Sequence, residues 1–216
     1  MKPAPTASLD DRDSTRERIL SVATELFAAQ GFNGVSLRTL TNEAGVNLAS
    51  VSYHFRSKEG LIAAIFDRHC APMIEDRRCR LAACEEKPGR PPLLEQIIEA
   101  FITPALDVSA DTSGGGATFS RLRAVLAHEN QALAEELISK HFDSTSAEYV
   151  EALQRCLPQL SRADVYWRFH FLLGALYYTS VNPKRIRQLS NGKCDPANTA
   201  AAIREMVKFV AAGFRA

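Results

Sequence analysis

A chain of 216 residues is long for one small domain and short for two large ones, so we expect a small domain joined to a larger companion. An apolar share of 46% and a charged share of 24% are ordinary for a globular protein with a sizeable core, which excludes disorder except at ends and loops. The formal net charge of +1 gives no electrostatic indication of nucleic-acid binding, so a motif has to carry any such function.

The five cysteines are an odd number without a close CxxC pair, and no apolar signal segment begins the sequence. We therefore expect reduced thiols in a cytoplasmic protein. An oxidation sensor formed by Cys79 and Cys84 stays open as an alternative to surface or core thiols. The most apolar run, residues 165–181, contains Arg168 and His170 and is shorter than the ~20 residues that cross a bilayer, so no membrane segment is expected.

The first thirteen residues contain two prolines and several acids without an apolar period, which predicts a disordered tail. Ser14 and Glu17 then form a capping box for a helix that ends at Gly31.

The stretch from Ser36 to Lys58 predicts two short helices joined by a tight turn. Ser36 is a good N-cap, and the first helix carries one apolar stripe before Gly45 ends it. The stripe consists of Leu37, Leu40 and Ala44.

Asn47 is predicted to cap the second short helix. Its spacing places Leu48, Val51 and Phe55 inward and leaves Ala49, Ser50 and Ser52 outward. A short helix with small outward side chains, supported on another helix across a glycine turn, fits the major groove of DNA.

From Ser57, a new N-cap, a helical pattern continues towards Ala83. Pro72 within it is expected to kink the helix, because proline cannot donate a hydrogen bond to the carbonyl of Arg68. Residues 85–92 read as a linker, and an apolar helix with Pro104 near its end follows. Residues 107–116 then read as a loop whose three glycines lack the flanking strand and Lys-Ser/Thr pair of a phosphate-binding loop.

Helical spacing resumes after this loop, pauses near Asn130 and ends at Pro158. Ser161 and Asp164 form a capping box for a helix over 164–181 that is apolar on nearly every side, so it must be buried on more than one face.

Asn182 and Pro183 end that helix, and Asp195 followed by Pro196 predicts the start of a last, amphipathic helix. No strand pattern is present, so we predict an all-α fold of about nine helices. The predicted domains are a tail (1–13), a three-helix helix-turn-helix DNA-binding domain (14–56) and a helical effector-binding and dimerisation domain (57–216).

Residues 14 to about 62 resemble the amino-terminal domain of TetR-type transcriptional regulators. The resemblance rests on the Gly31-Phe32 corner, Ala44-Gly45-Val46, Tyr53-His54-Phe55, and Lys58 with Leu61. It implies a homodimeric, ligand-responsive repressor that binds a palindromic DNA operator. The segments VNLASVSYHF, VYWRFHFLLGA and VAAGFRA are also similar to the fatty-acid-responsive subgroup of this family.

The resemblance implies a base contact from Arg38, for which a guanine edge is the commonest partner. It also implies that Leu48, Ala49 and Ser50 face the groove floor, and that Tyr53, His54 and Lys58 hold phosphates. Ser52 departs from the tyrosine of many members, which puts one phosphate contact in doubt. Core packing of Tyr53, Phe55 or His54 is the alternative. The full predicted DNA-contact set is Ser36, Arg38, Asn47, Leu48, Ala49, Ser50, Ser52, Tyr53, His54 and Lys58.

An effector pocket is predicted among the later helices, with an apolar wall and a few polar anchors. Its residues are Phe66, Phe101, Arg121, Leu122, Trp167, Arg168, His170 and Phe171. The alternative is a filled aromatic core with the arginines paired to acids such as Glu129 or Glu148. The subgroup resemblance favours a fatty acid or its CoA thioester as effector, and a flat cationic drug is the competitor.

The helix over 164–181 and the last helix are expected to pair with their copies in a four-helix dimer interface. The predicted interface residues are Leu172, Ala175, Leu176, Ile203, Val207 and Val210. No catalytic set, cofactor motif or metal-ligand spacing is identifiable. A helical enzyme and a structural adaptor are the remaining alternatives to a DNA-binding regulator.

Overall fold

The structure, a computed structural model, describes residues 9–85, 92–111, 115–195 and 198–216. Within these ranges it has ten helices and no strand, which confirms the all-α prediction. The helices are α1 (Leu9–Gln30), α2 (Leu37–Ala44), α3 (Leu48–Phe55), α4 (Lys58–Glu85), α5 (Leu94–Ala110), α6 (Gly116–Glu129), α7 (Gln131–Cys156), α8 (Arg162–Val181), α9 (Pro183–Leu189) and α10 (Thr199–Arg215).

The chain divides into two compact units, and helix α4 runs from one into the other. The first unit comprises Met1–Arg68 and Arg121–Leu137, and the second comprises His69–Ser120 and Ile138–Ala216. The division within α4 falls at Arg68, whose carbonyl receives no helical hydrogen bond because Pro72 lacks an N–H. The first unit thus extends beyond residues 14–56 of the predicted DNA-binding domain.

In the first unit, α1 packs against α2, and α2 packs against α3. Apolar side chains from all three helices are buried, and the rings of Phe27 and Phe32 lie 5.4 Å apart between centroids. Val51 and Phe55 are the buried residues of α3. Two anchors in eight residues are enough to fix α3, because the caps at its ends satisfy part of its backbone.

In the second unit, α5 packs against both α8 and α10. Phe101 lies at the centre of this core, with ring centroids 4.9 Å from Tyr149 and 5.0 Å from Phe169. The Tyr149 hydroxyl donates to the Arg77 carbonyl over 2.7 Å, and burial raises the pKa of this phenol. This core is therefore closed by aromatic contacts and by a satisfied polar group.

Helix α1 begins at Leu9, so the predicted tail is wrong for residues 9–13, while residues 1–8 lie outside the described ranges. The capping box at Ser14 does not start the helix, because neither glycine nor proline interrupts the sequence from Leu9 to Gln30. The predicted end at Gly31 is confirmed, since its φ of +82° is left-handed.

Helix α5 continues through Pro104 to Ala110, so residues 107–110 are helical rather than part of the predicted loop. Pro104 is itself buried, and packing in the core offsets the hydrogen bond that it cannot make.

The prediction of about nine helices missed α9, which begins with Pro183 at its first position, where proline is well tolerated. The predicted start of the last helix at Asp195 is wrong, because α10 begins at Thr199 with Asn198 as its N-cap. The Asn198 side-chain Oδ1 accepts from the Ala201 N–H over 3.0 Å. Residues 196 and 197 lie outside the described ranges.

Candidate nucleic-acid interface

The turn between α2 and α3 has the backbone geometry that the sequence predicts. Ser36 Oγ accepts from the Thr39 N–H over 3.0 Å, which confirms the predicted cap of α2. Gly45 has a φ of +61°, and the N–H of Val46 donates to the Thr41 carbonyl over 3.0 Å. This left-handed C-terminus closes α2 and turns the chain sharply into α3.

Helix α3 is capped by Asn47, as predicted. Its Oδ1 accepts from both the Ser50 N–H, over 2.8 Å, and the Ser50 hydroxyl, over 3.0 Å. Val51 and Phe55 face the core, but Leu48 is 54% exposed, so its predicted inward orientation is wrong. The spacing of Leu48, Val51 and Phe55 places them on one face of the helix. It does not show whether the neighbouring helix is long enough to cover Leu48 as well.

The outward surface of α3 consists of Leu48, Ala49, Ser52 and Tyr53, all exposed. Tyr53 is 70% exposed, which excludes the core alternative for this residue, whereas Phe55 is a core residue. His54 is half-buried, and its ring meets that of Tyr53 edge to face with centroids 5.0 Å apart.

Arg38 projects from the first turn of α2 and is exposed. Its side chain makes no hydrogen bond or ion pair within the described part of the chain. Its five guanidinium donors therefore remain available for a ligand outside the chain.

Lys58 begins α4, and its ammonium lies 4.5 Å from the ring centroid of Phe32 and 5.7 Å from that of Phe27. Desolvation lowers the pKa of Lys58, while the charges of Glu59 and Glu129 act in the opposite direction. This lysine is thus half-buried over aromatic rings, and its predicted phosphate contact stays a prediction.

The corner between α1 and α2 is held by Glu129, the last residue of α6. The backbone N–H of Asn33 donates to Glu129 Oε2 over 3.2 Å. A Cβ at Gly31 would lie 1.9 Å from Glu129 Oε1, so another residue would have to displace that carboxylate and would also be strained at the φ of +82°. Sequence reasoning missed this role because the donor and the acceptor lie 96 positions apart.

The predicted effector residues are distributed over both compact units. In the first unit, Phe66 and Leu122 are buried and Arg121 is exposed. Neither acid proposed as an arginine partner holds Arg121, because Glu129 accepts from the Asn33 backbone and Glu148 pairs with Arg78 over 2.9 Å.

In the second unit, the structure brings Trp167, His170 and Phe171 into ring contact on the surface but does not gather the predicted effector residues into one pocket. Phe101 lies in the aromatic core, as the alternative of a filled core expects, whereas Trp167 and Phe171 are 61% and 64% exposed. Their rings stack on each other with centroids 5.9 Å apart. Arg168 donates to the Phe214 carbonyl, and His170 is exposed.

The second unit contains an open apolar groove with a volume of about 520 Å³, which the sequence did not indicate. Its walls come from the ends of α5 and α8, from α9, and from the start of α10. Lys193 lines it and makes no ion pair within the described residues. Glu205 also lines it, but Lys208 at 3.0 Å and Arg204 at 3.6 Å neutralise its carboxylate.

Most of the predicted dimer residues face the chain's own core. Leu172, Leu176, Val207 and Val210 are buried there, Ile203 packs against that core, and Ala175 is half-buried. The opposite faces of α8 and α10 carry the exposed aromatic residues. These are Tyr166, Trp167, Phe171, Tyr177 and Tyr178 on α8 and Phe209 on α10.

The alternative of an oxidation sensor formed by Cys79 and Cys84 does not fit the geometry of α4. Cys79 and Cys84 lie five residues apart on this helix, so their Cα atoms are about 8.6 Å apart, beyond disulfide reach. Desolvation and the neighbouring Glu75 raise the pKa of the Cys79 thiol, which disfavours the reactive thiolate.

The described residues include no group of three or more His, Cys, Asp or Glu side chains that could hold a metal ion. A search of the same residues finds no helix with the length and apolar character needed to cross a membrane.

The capped α2, the left-handed glycine turn and the short α3 with its exposed outward face define a helix-turn-helix DNA-binding unit. The family described as bacterial regulatory proteins, tetR family, matches residues 19–65, and the tetracyclin repressor-like C-terminal domain matches residues 99–213. The second match alone covers more than half of the chain. The protein therefore belongs to the TetR family of DNA-binding transcriptional regulators.

The curated relatives are named as regulators rather than as enzymes. "Probable HTH-type transcriptional regulator YttP" of Bacillus subtilis (strain 168) is 43% identical over 49 residues, 23% of this chain and 24% of the relative. UidR of Escherichia coli (strain K12), an HTH-type transcriptional regulator, is 28% identical over 89 residues, 41% of this chain and 42% of the relative. The chain thus spans about a quarter to two fifths of the length of these two relatives.

Solved structures of similar fold include two regulators named FadR. FadR from Bacillus subtilis, solved in complex with stearoyl-CoA, has a TM-score of 0.63 at 16% identity and covers 91% of this chain and 98% of its own. The fatty acid degradation regulator FadR from Bacillus halodurans has a TM-score of 0.61 at 14% identity, with 97% and 96% covered. At these identities the likeness establishes the fold alone.

Proposed function

We propose that the protein is a homodimeric repressor that binds a palindromic operator through α3 and is released by a small apolar effector. The observation that carries the proposal is the outward face of α3. It is exposed, capped by Asn47 and held by two buried anchors, so its outward residues are accessible to a DNA groove.

The dimer is proposed to form through the outward faces of α8 and α10. Trp167, Phe171 and Phe209 expose large aromatic surfaces, and such a patch on a single chain indicates an interaction site. Gly174, in the same outward stretch of α8, has open space around its Cα, so a second helix can approach closely. The sequence-based interface residues, apart from the half-buried Ala175, then support this surface from beneath.

A twofold dimer of this kind places two copies of α3 in successive major grooves, about 34 Å apart on one face of the DNA. The operator is then an inverted repeat, because the symmetry of the site mirrors the symmetry of the protein.

The effector is proposed to act on that spacing through α4, which joins the two compact units. A ligand can shift the equilibrium only by binding more tightly to one arrangement than to the other. The effector releases the protein from DNA if it binds more tightly to the arrangement in which the two α3 helices do not match successive major grooves.

For the effector we propose a long apolar molecule with one anionic end, such as a fatty acid or its CoA thioester. The subgroup resemblance supports this choice, as do the name of the fatty acid degradation regulator from Bacillus halodurans and the stearoyl-CoA bound to FadR from Bacillus subtilis. The groove in the second unit has a volume typical of small-molecule sites, and Lys193 supplies a cation for the anionic end.

Selection of duplexes from a random-sequence pool with the full chain tests the DNA-binding proposal. We expect an enriched inverted repeat that binds much more tightly than scrambled duplex. Recovery of unrelated sequences would contradict sequence-specific binding.

Release of the selected duplex, titrated in parallel with oleate, an acyl-CoA and a cationic dye, tests the effector. We expect release by oleate or the acyl-CoA, and release by the dye alone would overturn the fatty-acid proposal. The variant Ser109→Phe fills the groove from α5, a wall that contributes no residue to the proposed dimer face, whereas Phe209 of that face also lines the groove. It should keep DNA binding and lose the response, and an unchanged response would place the effector elsewhere.

A further inference from the structure

The first turn of α3 exposes apolar rather than polar side chains. Leu48 and Ala49 occupy the first two helical positions, and both are exposed. The amino-terminal residues of a recognition helix are those that contact base edges. This turn therefore offers methyl groups where a hydrogen-bonding reader would carry an amide or a guanidinium group.

The polar side chains beside this turn are occupied within the protein. Asn47 Oδ1 accepts two hydrogen bonds from Ser50, one of which uses the only hydroxyl proton of that serine. The Ser36 hydroxyl is likewise within 2.9 Å of the Thr39 hydroxyl and accepts from the Thr39 N–H. These groups stabilise the helix starts, so less of their hydrogen-bonding capacity remains for bases.

We infer that Leu48, with Ala49, reads thymine methyl groups in the operator half-site. Thymine is the only standard base with a methyl group in the major groove, and apolar side chains recognise it by contact. The inference deepens the DNA-binding role of α3 and rests on it. It assigns one or two thymines of each half-site to Leu48 and Ala49. Arg38 remains the residue that forms hydrogen bonds with a base.

The test replaces each thymine of the selected operator in turn with deoxyuridine, which removes the methyl group and keeps every pairing atom. Wild-type protein is expected to bind about fourfold more weakly for each contacted methyl group that is lost. Leu48→Ala is expected to bind the thymine operator about tenfold more weakly and to lose the sensitivity to deoxyuridine at the same position. A T·A to C·G change there should be partly rescued by 5-methylcytosine.

Leu93→Ala is the matched control, because Leu93 is a similarly exposed leucine at the start of α5 in the second unit. It should bind every duplex like wild type, and Leu48→Ala should keep wild-type binding to scrambled duplex and an unchanged melting curve. Specific binding without any deoxyuridine effect would overturn the inference, as would an unchanged effect in Leu48→Ala. Failure to select any sequence would instead overturn the DNA-reading role itself.

Discussion

Helices α3 and α8 both have a buried face and an exposed face, but the residue types on these faces differ between the two helices. Helix α3 has eight residues, of which Val51 and Phe55 are buried, and its outward side combines the apolar Leu48 and Ala49 with Ser52 and Tyr53. Helix α8 has twenty residues and is apolar on both sides, with Leu172 and Leu176 in the core and Trp167 and Phe171 outside.

The difference shows which residue types allow the exposed face of a helix to be predicted from the sequence. Caps and turn glycines have strict backbone requirements, so Asn47 and Gly45 fix where α3 begins and how it is oriented. Apolar residues have no such requirement, because a core and an interface bury them for the same physical reason.

The largest expected effects on stability and on oligomeric state come from charged substitutions on the two faces of α8. Leu176→Glu places an unpaired charge in the core and should lower the free energy of unfolding by about 3–5 kcal/mol, measured by urea denaturation. Phe171→Glu changes an exposed residue, so its chain should stay folded but run as a monomer in light scattering. A folded, monomeric Leu176→Glu variant would show that the sequence-based interface, rather than the outward face, is correct.

The corner before α2 gives the next largest effect. Gly31→Ala should lower the free energy of unfolding by about 2–3 kcal/mol, because alanine is strained at positive φ and its Cβ displaces the Glu129 carboxylate. The double variant Gly31→Ala with Glu129→Ala should recover part of this loss, since the clash is then removed. Strictly additive losses in a double-mutant cycle would contradict the contact.

Replacement of Arg38 tests base recognition beside α3. Arg38→Ala should weaken operator binding by about 1–3 kcal/mol and relax specificity at one base pair, measured by anisotropy titration with single-base variants. Tyr53→Phe is the control, because loss of a phosphate contact weakens all sequences alike. Unaltered specificity in Arg38→Ala would remove Arg38 from base reading.

The smallest expected effect is a pH dependence within the second unit. Arg215 lies 2.5 Å from Glu95, and this hydrogen bond holds the pKa of the Glu95 carboxyl below its usual 4.5. The stabilisation is present above the unfolded-state value and is lost as the pH falls through the lower folded-state value. Wild type should therefore be slightly more stable than Arg215→Gln at neutral pH, and the gap should close below pH 4.5. Urea titrations over this range measure it, and a gap that persists in acid would contradict the assignment.

The sequence predicted the helix-turn-helix closely because Ser36, Gly45 and Asn47 carry local signals with a backbone cause. Helical spacing predicted the wrong exposure for Leu48, because it carries no information about how far the neighbouring helix extends. Glu129 was missed because its contact with the Gly31 corner joins positions far apart in the chain.

The same limit applies to α8. Its apolar pattern predicted an interface, but it gave no means of separating Leu176 in the core from Phe171 on the surface. Only the packing of α5 against α8 and α10 distinguishes the two faces.

Hydroxyl-radical footprinting of the selected operator tests most directly whether α3 reads DNA while α8 and α10 pair two copies. Wild-type protein should protect two segments on one face of the duplex, about 34 Å apart, and Phe171→Glu should lose this paired pattern. A single protected segment for wild-type protein, or the same two segments for a monomeric Phe171→Glu variant, would contradict the account.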